Sequence, residues 1–163
     1  MKNWIDIINK SQIFDKYENF NFNTPLNILY SSGTTGVPKC IVHSAGGSLI
    51  QHKKEHQLHC NIKPKDKVFY FTTCGWMMWN WLVSCLASKA TIYLYDGSPF
   101  YPKIDHLFEI AQNEKITFFG IGAKYIDTLR QNKVEIYKKY NLENLITIAS
   151  TGSPLVHESF HYV

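Results

Sequence analysis

The sequence has few cysteines and lacks a long apolar run, and both features narrow the class of protein. Its four cysteines, Cys40, Cys60, Cys74 and Cys85, include no C-x-x-C pair. Residues 1–23 mix charges of both signs without the continuous apolar stretch of a secretion signal. We therefore expect reduced thiols in a cytoplasmic protein. No apolar run approaches the roughly 20 residues that a membrane-spanning helix needs, so we expect no membrane partner.

Clustered positive charge is also scarce. The formal net charge is +4, and the lysines are spread along the chain without a basic tract or an RNA-binding aromatic motif. Nucleic acid is therefore not an expected partner. A hydrophobic content of 45% argues against disorder, and 163 residues suit a single domain with a core. The composition leaves the oligomeric state open.

Short apolar runs alternate with helical periods along the chain. We predict strands over 27–31, 41–42, 68–72, 91–95, 117–119 and 145–150, and helices over 45–59, 78–88, 104–113, 123–131 and 156–162. This order predicts an α/β fold in which helices cover a mostly parallel sheet. Ligands of such sheets bind at the carboxyl ends of the strands. We expect the segments after Tyr30, Phe71 and Ala149 to lie there.

The segment from Tyr30 to Lys39 reads Y-S-S-G-T-T-G-V-P-K and follows an apolar run. Glycine backbone N–H groups, hydroxyls and one ammonium in a single loop are suited to binding a polyphosphate. The candidate phosphate-binding residues are Ser31, Ser32, Gly33, Thr34, Thr35, Gly36 and Lys39. Nucleotide binding is therefore the leading hypothesis, with an ordinary surface turn as the alternative.

The loop does not match the Walker-type phosphate loop, G-x-x-x-x-G-K-[ST]. Gly33 and Lys39 have the required separation, but Pro38 stands where the second glycine belongs. Proline has no N–H to donate. Cys40 replaces the hydroxyl residue that would bind Mg²⁺, an ion that prefers oxygen ligands. The Walker interpretation is therefore rejected.

The loop and its surroundings resemble the AMP-forming acyl-CoA synthetases of the adenylate-forming superfamily. The resemblance extends from Trp4 to the end of the chain and is strongest in segments 23–43, 69–81, 94–100 and 150–155. The run W-M-M-W-N-W at 76–81 resembles the acetoacetate-activating branch. The resemblance implies an acid–thiol ligase that uses ATP with Mg²⁺ and CoA. Its acid would be acetoacetate, with a related short-chain acid as the alternative.

The resemblance also implies roles for individual residues. The loop from Ser31 to Lys39 would hold the pyrophosphate, the turn Gly152-Ser153-Pro154 would border the adenine, and Trp76, Met77 and Met78 would shape the acyl pocket. The residue types are compatible with this assignment. A glycine after a strand lets a flat ring approach the backbone, and large apolar side chains can surround a small acyl group. An ordinary turn and core packing are the respective alternatives.

Three histidines, His52, His56 and His59, share one helical face beside Cys60. Such a group could bind zinc. Glu55 is misplaced for the H-E-x-x-H motif, however, so we interpret this face as solvated and assign no metal site.

The sequence departs from the family pattern in two ways. We find no family aromatic-x-x-Thr-Glu motif, ribose-binding aspartate or adenylating lysine. We therefore expect residues 1–163 to form a partial AMP-binding domain without the C-terminal domain or a complete catalytic set, inactive in isolation. A non-catalytic remnant or nucleotide-binding fragment is the alternative. In addition, Lys65, Cys85 and Lys89 stand where relatives favour glycine; if these positions need a positive φ, each costs about 1 kcal/mol.

Overall fold

The structure is a computed structural model that describes residues 3–11, 15–31 and 36–163. The strands are β1 (Pro25–Ser31), β2 (Lys39–Ser44), β3 (Lys67–Tyr70), β4 (Thr91–Tyr93), β5 (Phe118–Gly122) and β6 (Thr147–Thr151). The α-helices are α1 (Trp4–Lys10), α2 (Ala45–Lys54), α3 (Met77–Ser84), α4 (His106–Glu114), α5 (Ala123–Gln131), α6 (Ile136–Lys139) and α7 (His157–Tyr162).

A parallel sheet forms the centre of the fold. Its strand order is β4-β3-β5-β6, and every neighbouring pair is parallel. Strands β3 and β5 are almost continuously apolar and buried, as expected for a parallel sheet that is covered on both faces. The predicted α/β class and mostly parallel sheet are confirmed.

Alternate side chains of the central strands enter two separate cores. Phe69 and Phe119 point to one face, where α4 and α5 pack. Val68 and Phe118 point to the other face, where α3 supplies Trp81. This division follows from the two-residue period of a strand, and it fixes which helices flank the carboxyl ends of β3, β5 and β6.

The strand before the glycine-rich loop does not belong to this sheet. β1 pairs antiparallel with β2 in a separate two-stranded ribbon. The expectation that the strand before the loop belongs to the parallel sheet is therefore wrong, and residues 32–35 of the loop itself lie outside the described residues. Only seven residues separate Ser31 from Lys39, whereas a parallel crossover needs a dozen or more.

Two predicted helices change type near their ends. The helix predicted over 45–59 is α-helical to Lys54 and continues as a π-helical turn, Glu55–His59. The helix predicted over 78–88 ends at Ser84 and tightens into a 3₁₀ turn, Cys85–Ser88. Helices α1 and α6 were not predicted.

Two of the three positions where relatives favour glycine have a left-handed backbone. The φ angle is 77° at Lys65 and 59° at Lys89, and the Lys65 N–H donates to the Lys89 carbonyl at 3.1 Å. The condition for the expected cost, a positive φ, is therefore met at these two lysines. It is not met at Cys85, whose φ is −58° at the helical end of α3.

All four cysteines lie among the described residues, and they are free thiols. Within residues 3–11, 15–31 and 36–163, no helix is long and apolar enough to cross a membrane.

Candidate nucleotide and acyl site

The turn predicted to border adenine lies at the carboxyl edge of the parallel sheet. Strand β6 ends at Thr151, and Gly152 follows with φ 90°, a conformation that favours glycine. A Cβ on Gly152 would meet no described atom within 4 Å, and Ser153 and Pro154 are exposed. The backbone here is open to a flat ligand, as an adenine-bordering turn requires.

One tyrosine links three strands beneath this turn. Tyr70 is in register with Gly120 on the neighbouring strand, and its ring occupies the space that a Cβ on Gly120 would need. Its hydroxyl lies 2.6 Å from the Thr151 hydroxyl at the end of β6. Burial raises the pKa of Tyr70, and the hydrogen bond to Thr151 acts in the opposite direction. Tyr70 therefore positions the strand end that precedes Gly152.

The phosphate-loop candidates lie only partly in the described chain. Ser32, Gly33, Thr34 and Thr35 lie outside the described residues, whereas Ser31, Gly36 and Lys39 lie within them. Ser31 and Lys39 are cross-strand partners in the ribbon, so their side chains share one face. The ribbon thus holds the two ends of the loop together and places the exposed Lys39 beside them.

The ribbon and two helices border an open hollow of about 430 Å³. Its walls come from β2, α2 with the π-helical turn that follows it, and α3, and they include Val42, His43, His52, Glu55, Met77 and Trp81. Two of the segments singled out from the sequence, the strand after the glycine-rich loop and the apolar W-M-M run, therefore meet here.

The three predicted acyl-pocket residues have different environments. Met77 lines the hollow. Met78 packs against the core that contains Val68 and Trp81. Trp76 is 69% exposed in the described structure and does not line the hollow.

Sequence reasoning missed the polar groups of the hollow. Glu55 accepts hydrogen bonds from Trp81 Nε1 at 2.9 Å and from Gln51 Nε2 at 2.5 Å. The spacing of Gln51 and Glu55, four residues apart on a helix, was the available signal. These bonds orient the carboxylate at the wall of the hollow.

His52 is a second missed wall residue. The Ser84 hydroxyl donates to the Trp81 carbonyl at 2.8 Å, so Ser84 Oγ accepts from His52 Nδ1–H, also at 2.8 Å. Burial lowers the pKa of His52; Glu55 opposes this shift and His43 adds to it. The hollow therefore combines an apolar side with a fixed imidazole and a carboxylate.

The prediction of a solvated histidine face is wrong at His56, which is 0% exposed. Its Nε2 lies 3.1 Å from the Trp81 carbonyl and 3.2 Å from Cys85 Sγ, while its Nδ1 has no partner among the described residues. Burial lowers the pKa of His56 to about 4 and raises the pKa of Cys85 to about 12. Both groups are therefore neutral near pH 7.

The three histidines considered as a zinc site, His52, His56 and His59, do not converge on a common point. His56 is buried, whereas His59 is exposed. Among the residues that the structure describes, no group of three or more His, Cys, Asp or Glu side chains could hold a metal ion.

Known proteins match this chain over most of its length. A family model described as AMP-binding enzyme matches residues 7–161. Acetoacetyl-coenzyme A synthetase of Rhizobium meliloti (strain 1021) is 55% identical over 147 residues, which are 90% of this chain and 23% of that protein. Acetoacetyl-CoA synthetase of Gallus gallus is 51% identical over 148 residues, 91% of this chain and 22% of that protein.

A solved structure also matches. Acetoacetyl-CoA synthetase from Streptomyces lividans superposes with a TM-score of 0.89 at 43% identity, covering 96% of this chain and 24% of that one. The chain thus spans 22–24% of the length of these similar proteins. The match over residues 7–161 shows that the chain belongs to the AMP-binding enzyme family.

Proposed function

We propose that this chain provides nucleotide- and acyl-binding segments of an ATP-dependent acetoacetate–CoA ligase. In that reaction the acetoacetate carboxylate attacks the α-phosphorus of ATP, and diphosphate leaves. The CoA thiolate then attacks the acyl carbon of acetoacetyl-AMP, and AMP leaves as the thioester forms. The observation that carries the proposal is the hollow in which Met77 lies beside β2, the strand that follows the glycine-rich loop.

The phosphate role belongs to Ser31–Lys39. A cation and N–H donors near the β- and γ-phosphates stabilise the charge that develops on departing diphosphate. The cross-strand pairing of Ser31 with Lys39 supports this role, because it places the backbone of Lys39 at the end of the segment Ser32, Gly33, Thr34, Thr35 and Gly36.

The adenine role belongs to Gly152, Ser153 and Pro154. The open space above Gly152 and its positive φ support the approach of a flat base. ATP would carry Mg²⁺ as in related phosphoryl chemistry, and we assign none of the described residues to that ion.

The acyl role is assigned to Trp76, Met77 and Met78. Met77 is supported by its place in the hollow, and its neighbours in sequence complete an apolar segment at the start of α3. Residues 1–163 would form part of one AMP-binding domain. A cytoplasmic location belongs to the same proposal and is supported by the free thiols.

A segment exchange tests the proposal. Residues 7–161 would replace the matching segment of the Rhizobium meliloti synthetase, and AMP formation would be measured with acetoacetate and with acetate. We expect acetoacetate-dependent activity and a preference for acetoacetate. Within the exchanged enzyme, Met77→Ala should change the ratio of the kcat/KM values for the two acids. Leu86→Ala, at an exposed position beyond α3, should leave that ratio unchanged.

Two results of the segment exchange would contradict the proposal. If the exchanged enzyme folds, as judged by circular dichroism and gel filtration, yet prefers acetate or turns over neither acid, the acetoacetate assignment fails. If Leu86→Ala shifts the ratio as much as Met77→Ala, the acyl role of Met77 fails.

A further inference from the structure

Two histidines outside the proposed site approach each other closely on α7. His157 and His161 are four residues apart, and their Nε2 atoms are 3.2 Å apart. The ring centroids are 4.7 Å apart, and the ring planes are nearly perpendicular, at 89°. Both side chains are exposed, so ions in solution have access to them.

Two imidazole nitrogens at this distance need a proton or a cation between them. A direct N–H···N hydrogen bond requires Nε2 to be protonated in one ring and unprotonated in the other. A shared metal ion removes that restriction, because each neutral ring then offers its lone pair.

The observed separation matches a chelate. Imidazole nitrogens bind Zn²⁺ at about 2.0–2.1 Å; two of them are therefore about 2.9 Å apart at a right angle and about 3.3 Å apart at a tetrahedral angle. The distance of 3.2 Å between the two Nε2 atoms lies within this range.

We propose that His157 and His161 chelate one divalent transition-metal ion, Zn²⁺, Ni²⁺ or Cu²⁺, with water completing the coordination shell. Imidazole suits these ions better than Mg²⁺ or Ca²⁺. The site is distinct from the group of His52, His56 and His59, in which His56 is buried and His59 is exposed.

The opposite side of α7 is fixed to the rest of the protein. Buried Ser159 donates its hydroxyl to Asp127 at 3.3 Å, and the Tyr162 hydroxyl donates to the Val134 carbonyl at 2.5 Å. These bonds anchor α7 and leave both histidines exposed. A six-residue helix is weak by itself, so an ion that bridges two of its turns should stabilise it.

Calorimetric titration of the 163-residue chain with Ni²⁺ tests the proposal, after the thiols have been capped with iodoacetamide because Cys40 and Cys74 are exposed. We expect His157→Gln and His161→Gln each to weaken Ni²⁺ binding at least tenfold. The loss in the double variant should be smaller than the sum of the two single losses, because the ring that remains in either single variant binds the ion only as a weak single ligand. His59→Gln, at another exposed histidine, is the matched control and should bind as the unchanged chain does.

A second readout separates chelation from indirect effects. Ni²⁺ should raise the unfolding temperature of the unchanged chain and of His59→Gln, but not of the double variant. The proposal is overturned if the single variants bind Ni²⁺ like the control, or if the two losses add as they would for independent sites. Circular dichroism without metal checks that these exposed substitutions leave the fold intact.

Discussion

The ring of Tyr70 lies directly on the backbone of Gly120, its register partner on the neighbouring strand. This contact crosses the centre of the sheet and lets the Tyr70 hydroxyl reach Thr151 on β6, one strand farther along. A side chain at Gly120 would displace the ring and break that bond. The position of the end of β6, just before Gly152, therefore depends on the absence of a side chain at Gly120 in β5.

Replacement of Gly120 by alanine should lower the free energy of unfolding by about 1–3 kcal/mol, the usual range for an overpacked core. Urea denaturation followed by circular dichroism measures the change. Gly75→Ala is the matched control, because a Cβ there would meet no described atom within 4 Å. Equal stability of the two variants would contradict the close contact between Tyr70 and Gly120.

The left-handed lysines should gain stability from glycine. Lys65→Gly and Lys89→Gly should each raise the free energy of unfolding by about 0.5–1 kcal/mol, because an L side chain disfavours a positive φ. Lys63, an exposed lysine in the same turn, is absent from the positive-φ residues. Lys63→Gly should therefore change stability in the opposite direction. A loss of stability in all three variants would show that the lysine side chains stabilise the fold through contacts by more than the positive φ destabilises it.

The buried His56 should make stability depend on pH. Its pKa falls from the ordinary value of 6.5 to about 4 through burial, with a smaller lowering by His52 and opposition from Glu55. The Cys85 thiol beside it stays neutral. Below pH 6.5 the unfolded chain takes up a proton that the folded chain accepts only near pH 4. The stability associated with neutral His56 is therefore complete above pH 6.5 and decreases as the pH falls toward 4.

The variant His56→Gln isolates this effect. Each pKa unit corresponds to about 1.4 kcal/mol, so the stability difference between the unchanged chain and the variant should shrink by up to about 3 kcal/mol between pH 7.5 and pH 4. Urea titrations at several pH values measure the difference, in which the titration of other groups cancels. His59→Gln, which removes an exposed ring, is the matched control for the loss of an imidazole. A stability difference for His56→Gln that does not change with pH would contradict the lowered pKa of His56.

The parallel sheet could be predicted from the sequence because its strands are short apolar runs between helical periods. Ala123–Gln131 was predicted with the bounds that α5 has. The ribbon could not be placed by periodicity, because the hydrophobic pattern of β1 fits either sheet and the short connection to β2 decides its partner.

The candidate site was predicted less completely than the fold. A glycine after a strand and a cluster of apolar residues drew attention to Gly152 and Met77 in the sequence. Burial of a polar helix face has no comparable sequence signal. Burial of His56 depends on the π-helical turn Glu55–His59, where the helix no longer follows the spacing assumed for its polar face. The polar wall formed by His52 and Glu55 was missed because the four-residue spacing of Gln51 and Glu55 does not show which face of the helix packs against α3.

Removal of the Lys39 ammonium should reveal which part of a nucleotide it contacts. If Lys39 binds the phosphate tail, Lys39→Met should weaken ATP binding by about tenfold, or ~1.4 kcal/mol, and change AMP binding much less. Calorimetric titration of the chain with Mg-ATP and with AMP measures both. Lys115→Met removes the same charge just before β5, at the amino-terminal edge of the sheet, and should leave both affinities unchanged. Equal weakening of ATP and AMP binding would place Lys39 away from the β- and γ-phosphates. If Lys115→Met weakens ATP binding as much as Lys39→Met does, the effect of Lys39 comes from the net charge of the protein and not from a contact with the phosphates.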